Sequence, residues 1–183
     1  MSVRIVGLLL VVVGCAAAAL SGLALLAPES LQQDYRRSLP RVDMFDRALS
    51  PASGTPIGIL EIPRLGLSSV VLEGDEGAAL MLGIGHLPDT PMPWRGGNSV
   101  LAAHRDTFFR PLAGIRRDDL ILFTTADATF EYGVKETRIV APTDIEVLAP
   151  TLSSMLTLIT CYPFYYIGPA PSRFIVRAER VSS

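Results

Sequence analysis

"MLTLITCYPF", residues 155–164, decides how this chain is read. Its first seven residues, Met155 to Cys161, form a short apolar run carrying β-branched Thr157, Ile159 and Thr160, which predicts a strand. "YPF" then opens a loop. A strand that ends on a thiol beside a loop leaves two readings of Cys161: a small buried hydrophobe, or a nucleophile.

Six further segments have the same character: Ile57 to Ile62, Leu67 to Gly74, Asn98 to His104, Asp119 to Thr125, Thr129 to Val140 and Arg173 to Val181. Turn chemistry separates them, in "PRLG", "PDTPMPWRGGN", "TAD" and "IGPAPS". Short helical turns are expected at Asp75 to Leu82 and at Thr107 to Ile115. Many short strands with few helices predict a mostly β, closed or nearly closed barrel, since closure removes unpaired edges.

The chain has 183 residues, 49% of them hydrophobic, and a formal net charge of −2. This fits one domain with an appendage, and the scattered Lys and Arg argue against nucleic acid as a partner. The appendage is N-terminal. "IVGLLLVVVGCAAAALSGLALLA", Ile5 to Ala27, holds no charge between Arg4 and Glu29. As a helix it would span roughly 30 Å, the hydrocarbon thickness of a bilayer. Residues 1–27 are therefore expected to be an uncleaved signal anchor, a single transmembrane helix with its N-terminus inside. Arg4 supports that orientation, and Arg36 and Arg37 count against it. A cleaved signal peptide has a shorter apolar stretch. The lipobox-like "VVGC" ending at Cys15 lacks the polar continuation of a lipoprotein. Residues 28–55, interrupted by Pro40 and Pro51, are expected to be an extracytoplasmic stalk, and 56–183 the folded domain.

An exported domain with one cysteine is unusual, because thiols there tend to pair. The chain's other cysteine, Cys15, is expected inside the membrane, so Cys161 stands as a free and potentially reactive thiol. A cysteine nucleophile needs a basic neighbour to raise its thiolate fraction. Two histidines are available, His86 in "GIGH" and His104 in "HRDTFF", each beside a loop. Acyl transfer also needs a donor aimed at the developing oxyanion, and Arg173, at the start of the last expected strand, suits that role.

At these residues the sequence resembles the sortases, cysteine transpeptidases of bacterial cell envelopes. "TLITC" matches the family's TLxTC, "HRDTFF" lies upstream and the arginine of "APSRF" downstream; "HRDTFFRPL" and "CYPFYYIGPAPSRFIV" look most like class D-type sortases. The resemblance implies an eight-stranded β-barrel with Cys161 as nucleophile, His104 as general acid/base and Arg173 holding the substrate backbone or the oxyanion. It implies cleavage of an LPxTG-like sorting signal on secreted proteins through a thioacyl-enzyme, with transfer to an amine or to water. It implies no cofactor and no metal; "EGDEG", Glu73 to Gly77, reads as a solvated turn and helix start, not a calcium site.

Secondary positions follow. His86 is expected as a hydrogen-bonded loop residue near the substrate groove. Asp106 either orients an imidazole or caps a turn. Thr160 points away from Cys161 by strand alternation, and its amide or hydroxyl is expected to help bind substrate. Tyr162, Pro163 and the aromatic residues after them form either a substrate wall or packing over the barrel end. Two other readings of the whole stand beside this one. An L,D-transpeptidase also uses cysteine and histidine but usually places a glycine before its nucleophile, and a membrane-tethered binding module would keep Cys161 inert.

Overall fold

The computed structural model describes residues 32–34, 36–39, 41, 51–166 and 168–181. Alternation along the 155–162 segment makes a two-sided strand: Leu156 and Leu158 are fully buried in the main core, while Ile159 and Cys161 are half-buried on the other face. Among the described residues eight strands form: β1 (Pro56–Ile62), β2 (Leu67–Glu73), β3 (Ile84–His86), β4 (Asn98–Ala102), β5 (Leu120–Thr124), β6 (Thr129–Val140), β7 (Met155–Tyr162) and β8 (Ser172–Arg180). They close into a barrel in the order β1-β2-β3-β4-β7-β8-β6-β5. Leu60, Leu101, Phe123, Tyr132, Leu158 and Val176 are among the side chains that fill it.

Two neighbouring pairs, β2–β3 and β4–β7, are parallel and the rest antiparallel. Parallel pairing of β4 and β7 brings both C-terminal ends out at the same end of the barrel. The antiparallel β8 begins there too. This one topological fact gathers the residues that follow β4, end β7 and start β8.

All seven expected strands are present, with small shifts at their ends. The strand expected over Asn98 to His104 stops at Ala102, because a turn closed by Phe109 N donating to His104 O (3.1 Å) takes over. The expected helical turns are a short helix, α1 (Gly77–Leu82), and a 3₁₀ turn at Arg110–Gly114, whose Pro111 sits in the first turn where no N–H is needed. β3 was expected as loop. It forms because Val71–Glu73 and Leu101–Ala102 flank it and supply partners, and because Gly85 allows close approach: a Cβ there would run into the carbonyl oxygen of Gly74.

Part of the stretch expected as a stalk lies among the described residues. Where it is described, residues 32–34 and 36–37 are helical. The Gln32 amide accepts from Val70 N (2.6 Å) and donates to Leu82 O (2.7 Å), serving a strand N–H that three-residue β3 is too short to reach. Arg36 donates to Ser68 Oγ and lies 3.8 Å from Glu61. The expected anchor, residues 1–27, lies outside the described residues. Among the described residues no helix is long and apolar enough to cross a membrane.

On the β1–β5 side of the barrel, Arg64 grips the buried Asp119 carboxylate, which also accepts from Arg116 N (2.7 Å). The hydrogen bond from Arg64 holds the Asp119 carboxyl below its ordinary value of 3.8, against the opposing effect of burial. A depressed carboxylate contributes stability above its unfolded value and loses it as pH falls through the folded one. The thermal-stability difference between wild type and Asp119→Asn is therefore expected to be largest near neutral pH and to shrink below about pH 4. Melting curves from pH 7 to pH 3 would check it; a difference constant with pH would contradict it.

Candidate active site

Alternation and register set the site. The ladder between parallel β4 and β7 runs Asn98↔Met155 to Ala102↔Ile159, and Ala103 N extends it by donating to Ile159 O (3.3 Å). Two residues beyond the Ala102–Ile159 pair stand His104 on one chain segment and Cys161 on the other. Across the other edge of β7, Cys161 pairs with Arg173, and Arg173 pairs in turn with Val140. Cys161 therefore lies between the imidazole-bearing segment and the guanidinium-bearing strand.

Each of the three is held differently. Cys161 is a free, half-buried thiol on the same face of β7 as Ile159. His104 is exposed just past β4, and its backbone is fixed on both sides by the Ala103 and Phe109 bonds. Arg173 is half-buried, with Nη1 donating to Ser172 O (3.1 Å) and Ala170 O (3.4 Å). Those bonds engage one nitrogen of its fork, so the guanidinium is anchored at one corner.

The face below these residues is a groove of about 330 Å³. Ala102, Ile159 and Ile175 come from three adjacent strands, Val147 and Leu148 form one wall, and Arg173 stands at its edge with Asp75 and Asp144 also lining it. Its floor is a second apolar cluster of Val140, Val147 and Ile175 outside the barrel, with Ile159 and Leu148 packed on it. The wall is the segment around the 3₁₀ turn Glu146–Leu148. Buried Asn98 holds it from beneath: Nδ2 donates to Val147 O (3.0 Å) and Ala149 O (3.2 Å), while Oδ1 accepts from Thr157 Oγ1 (2.6 Å). Asn98 opens an apolar run, and a polar residue in that place was the only sequence hint of this role.

The remaining candidates lie as follows. Thr160 is buried on the opposite face from Cys161 and donates its hydroxyl to Ala103 O (2.7 Å), which stitches β7 to the segment leading to His104. Tyr162 shares that face. Its ring stacks on Phe174 (centroids 6.2 Å apart) and meets Phe164 edge-on (6.0 Å), so it packs over the barrel end. Tyr165 and Tyr166 beyond it are exposed. Pro163 is half-buried and offers its carbonyl to Arg105 Nη1 (3.1 Å). Asp106 is exposed in the turn after His104.

His86 requires a correction. It is not on a loop: it ends β3 and is fully buried. Its Nδ1 is hydrogen-bonded to Glu73 Oε2 (2.8 Å), and Nε2 donates to Pro91 O (3.1 Å) with Thr90 Oγ1 at 3.2 Å. Glu73 is accordingly buried as well, not part of a solvated turn, because the parallel register places it directly beside His86. Thr90 Oγ1 also accepts from Val100 N (3.1 Å), so the network ties the β3–β4 loop to β4. His86→Ala would strand a buried carboxylate. The expected loss is about 3–5 kcal/mol of stability, read by denaturant unfolding, with the chemistry at Cys161 in the surviving folded molecules unchanged within a few-fold.

Known proteins share this fold. Residues 60–181 match the family model described as the Sortase domain. The chain is 36% identical over 138 residues to Sortase D of Bacillus subtilis (strain 168), covering 74% of this chain and 69% of that protein. Among solved structures, a Sortase D5 transpeptidase from Clostridium perfringens superposes with a TM-score of 0.72 at 24% identity, covering 84% of this chain and 98% of that one. Sortase A from Corynebacterium diphtheriae gives 0.65 at 26% identity, covering 85% of each chain. With a barrel of this order and a free thiol paired in register with an arginine, the chain belongs to the sortase family, whose members are cysteine transpeptidases.

Proposed function

We propose that the protein is a membrane-anchored transpeptidase that cleaves an LPxTG-like sorting signal after its threonine. The observation that carries this reading is the register that sets Cys161 opposite Arg173, which lines an apolar groove, with His104 two residues past the last β4–β7 pair. A sorting peptide lying in the groove exposes its threonine carbonyl to Cys161 Sγ. The thiol proton passes to His104 as sulfur attacks the carbonyl carbon, and the Arg173 guanidinium stabilises the charge on the carbonyl oxygen. Collapse of the tetrahedral intermediate breaks the threonine–glycine C–N bond, and His104 returns the proton to the departing amine. The resulting thioester is then attacked by an incoming amine, or by water, which releases the thiol and gives a new amide or a carboxylate. Asp75 and Asp144 at the groove edge and the apolar floor suit a mostly apolar peptide with a polar end.

The apolar run Ile5 to Ala27 supplies the membrane anchor of this reading, with the N-terminus inside and the barrel on the extracytoplasmic side. A peptide-library cleavage assay with and without added amines, read by mass spectrometry, tests the chemistry. The expected result is a mass adduct on the Cys161 peptide and an amine-dependent second product. Cleavage without any such adduct would sink the covalent reading.

A further inference from the structure

One side chain joins the turn after His104 to the loop after Cys161. Arg105 Nη1 donates to Pro163 O (3.1 Å), and Nη2 donates to Tyr166 O (2.8 Å) and Gly168 O (3.0 Å). The guanidinium carbon also lies 5.8 Å from the centroid of the Tyr166 ring, within reach of a cation–π contact. Farther along the same segment, Arg110 stands 5.9 Å from the Tyr165 ring.

These contacts replace what the loop lacks. β7 ends at Tyr162 and β8 starts at Ser172, and among the described residues the 163–171 stretch makes no backbone–backbone hydrogen bond of its own. Three of its carbonyls converge on a single guanidinium. A planar fork with fixed donor directions defines the relative positions of all three acceptors; a point-like ammonium on a flexible stem does not. The same fork is itself held by three acceptors, and it sits one residue from His104. Any movement of the loop behind the nucleophile is therefore transmitted to the segment that carries the base.

We infer that Arg105 is a positioning residue of the reaction, setting where His104 stands relative to Cys161 by gripping the main chain on the far side of the thiol. It touches no reacting atom. The inference rests on the Cys161–His104 chemistry proposed above. It differs from Arg173, whose place is across the ladder from Cys161 and at the groove edge.

The test uses the full chain in detergent, comparing wild type, Arg105→Lys and His104→Ala. Measured are kcat and KM for an LPxTG-type peptide, the melting temperature, and the iodoacetamide alkylation rate at Cys161. That rate is read by peptide mass because Cys15 is the other thiol. Arg105→Lys keeps the charge and loses the fork. It is expected to lower kcat by about 10- to 100-fold, the scale of a misplacement near 1 Å, while KM changes by less than about threefold. Alkylation of Cys161 should slow, because the imidazole no longer stands beside the thiol. If kcat stays within twofold of wild type while His104→Ala is inactive, the positioning role is overturned and the parent reading stands. If activity falls only as the protein melts, with alkylation faster because the thiol is uncovered, the residue is merely structural and the inference also fails. If His104→Ala itself is as active as wild type, the acid/base assignment and this inference fall together.

Discussion

Cys161→Ala is expected to bring cleavage and transfer down to background while leaving the barrel folded. The size of the effect follows from the route it removes. Without sulfur no acyl group is carried between donor and acceptor, and water in the groove has no activated path to the carbonyl. Loss of a covalent nucleophile costs about 10⁵- to 10⁶-fold in enzymes that use one. The fold has little to lose, since Cys161 is half-buried and not in the packed interior, where Leu156 and Leu158 lie. Removing one sulfur from such a position should change stability by less than about 1 kcal/mol. Rates of peptide cleavage and a denaturant titration on the same preparation separate the two effects. Product at wild-type rate would remove Cys161 from the mechanism, and a collapse in stability would mean that the thiol is a packing residue after all.

His104→Ala is the second large expectation, a fall of about 10²- to 10⁴-fold, the contribution of a positioned proton carrier. Both half-reactions need it: the first to take the thiol proton and protonate the leaving amine, the second to deprotonate the incoming one. The loss should therefore be seen in acylation and in transfer, which single-turnover mass spectrometry of the thioacyl adduct distinguishes. The contrast with the chain's other histidine is diagnostic. His104 is exposed, whereas His86 is enclosed by Glu73, Thr90 and Pro91. Mutation at 104 should reduce rate at constant stability, and mutation at 86 should do the reverse. An inversion of those two outcomes would move the base to His86.

Much of this was legible in the sequence, for physical reasons that also explain what was not. Strands such as Met155–Tyr162 and Ser172–Arg180 carry their own signal in short apolar runs with β-branched residues, and loops between them carry Pro and Gly. Cys161, His104 and Arg173 stood out because a lone thiol, an imidazole and a guanidinium at strand ends are costly to place without a role. β3 did not stand out, since three residues including a glycine have no period to read and gain their strand form from neighbours on both sides. Glu73 looked solvated because acidic residues adjoin it, while its partner His86 lies 13 residues away and meets it only through parallel register. Arg105 was invisible for a different reason: its partners are carbonyls, which every residue possesses, so no residue type in the loop betrays the contact. The docking of Gln32 was missed likewise, as its side chain bonds main-chain groups of Val70 and Leu82.

The Asn98 amide beneath the groove wall has a consequence for how such a wall can diversify. It grips the carbonyls of Val147 and Ala149 and is itself steadied by Thr157, so the course of the chain there is dictated from β4 and β7. Ile145, displayed along that course, is exposed and belongs to none of the packed apolar clusters. Shape and content are thus separately encoded: the frame sits in two buried polar residues of the barrel, and the lettering on it can be rewritten without redrawing the frame.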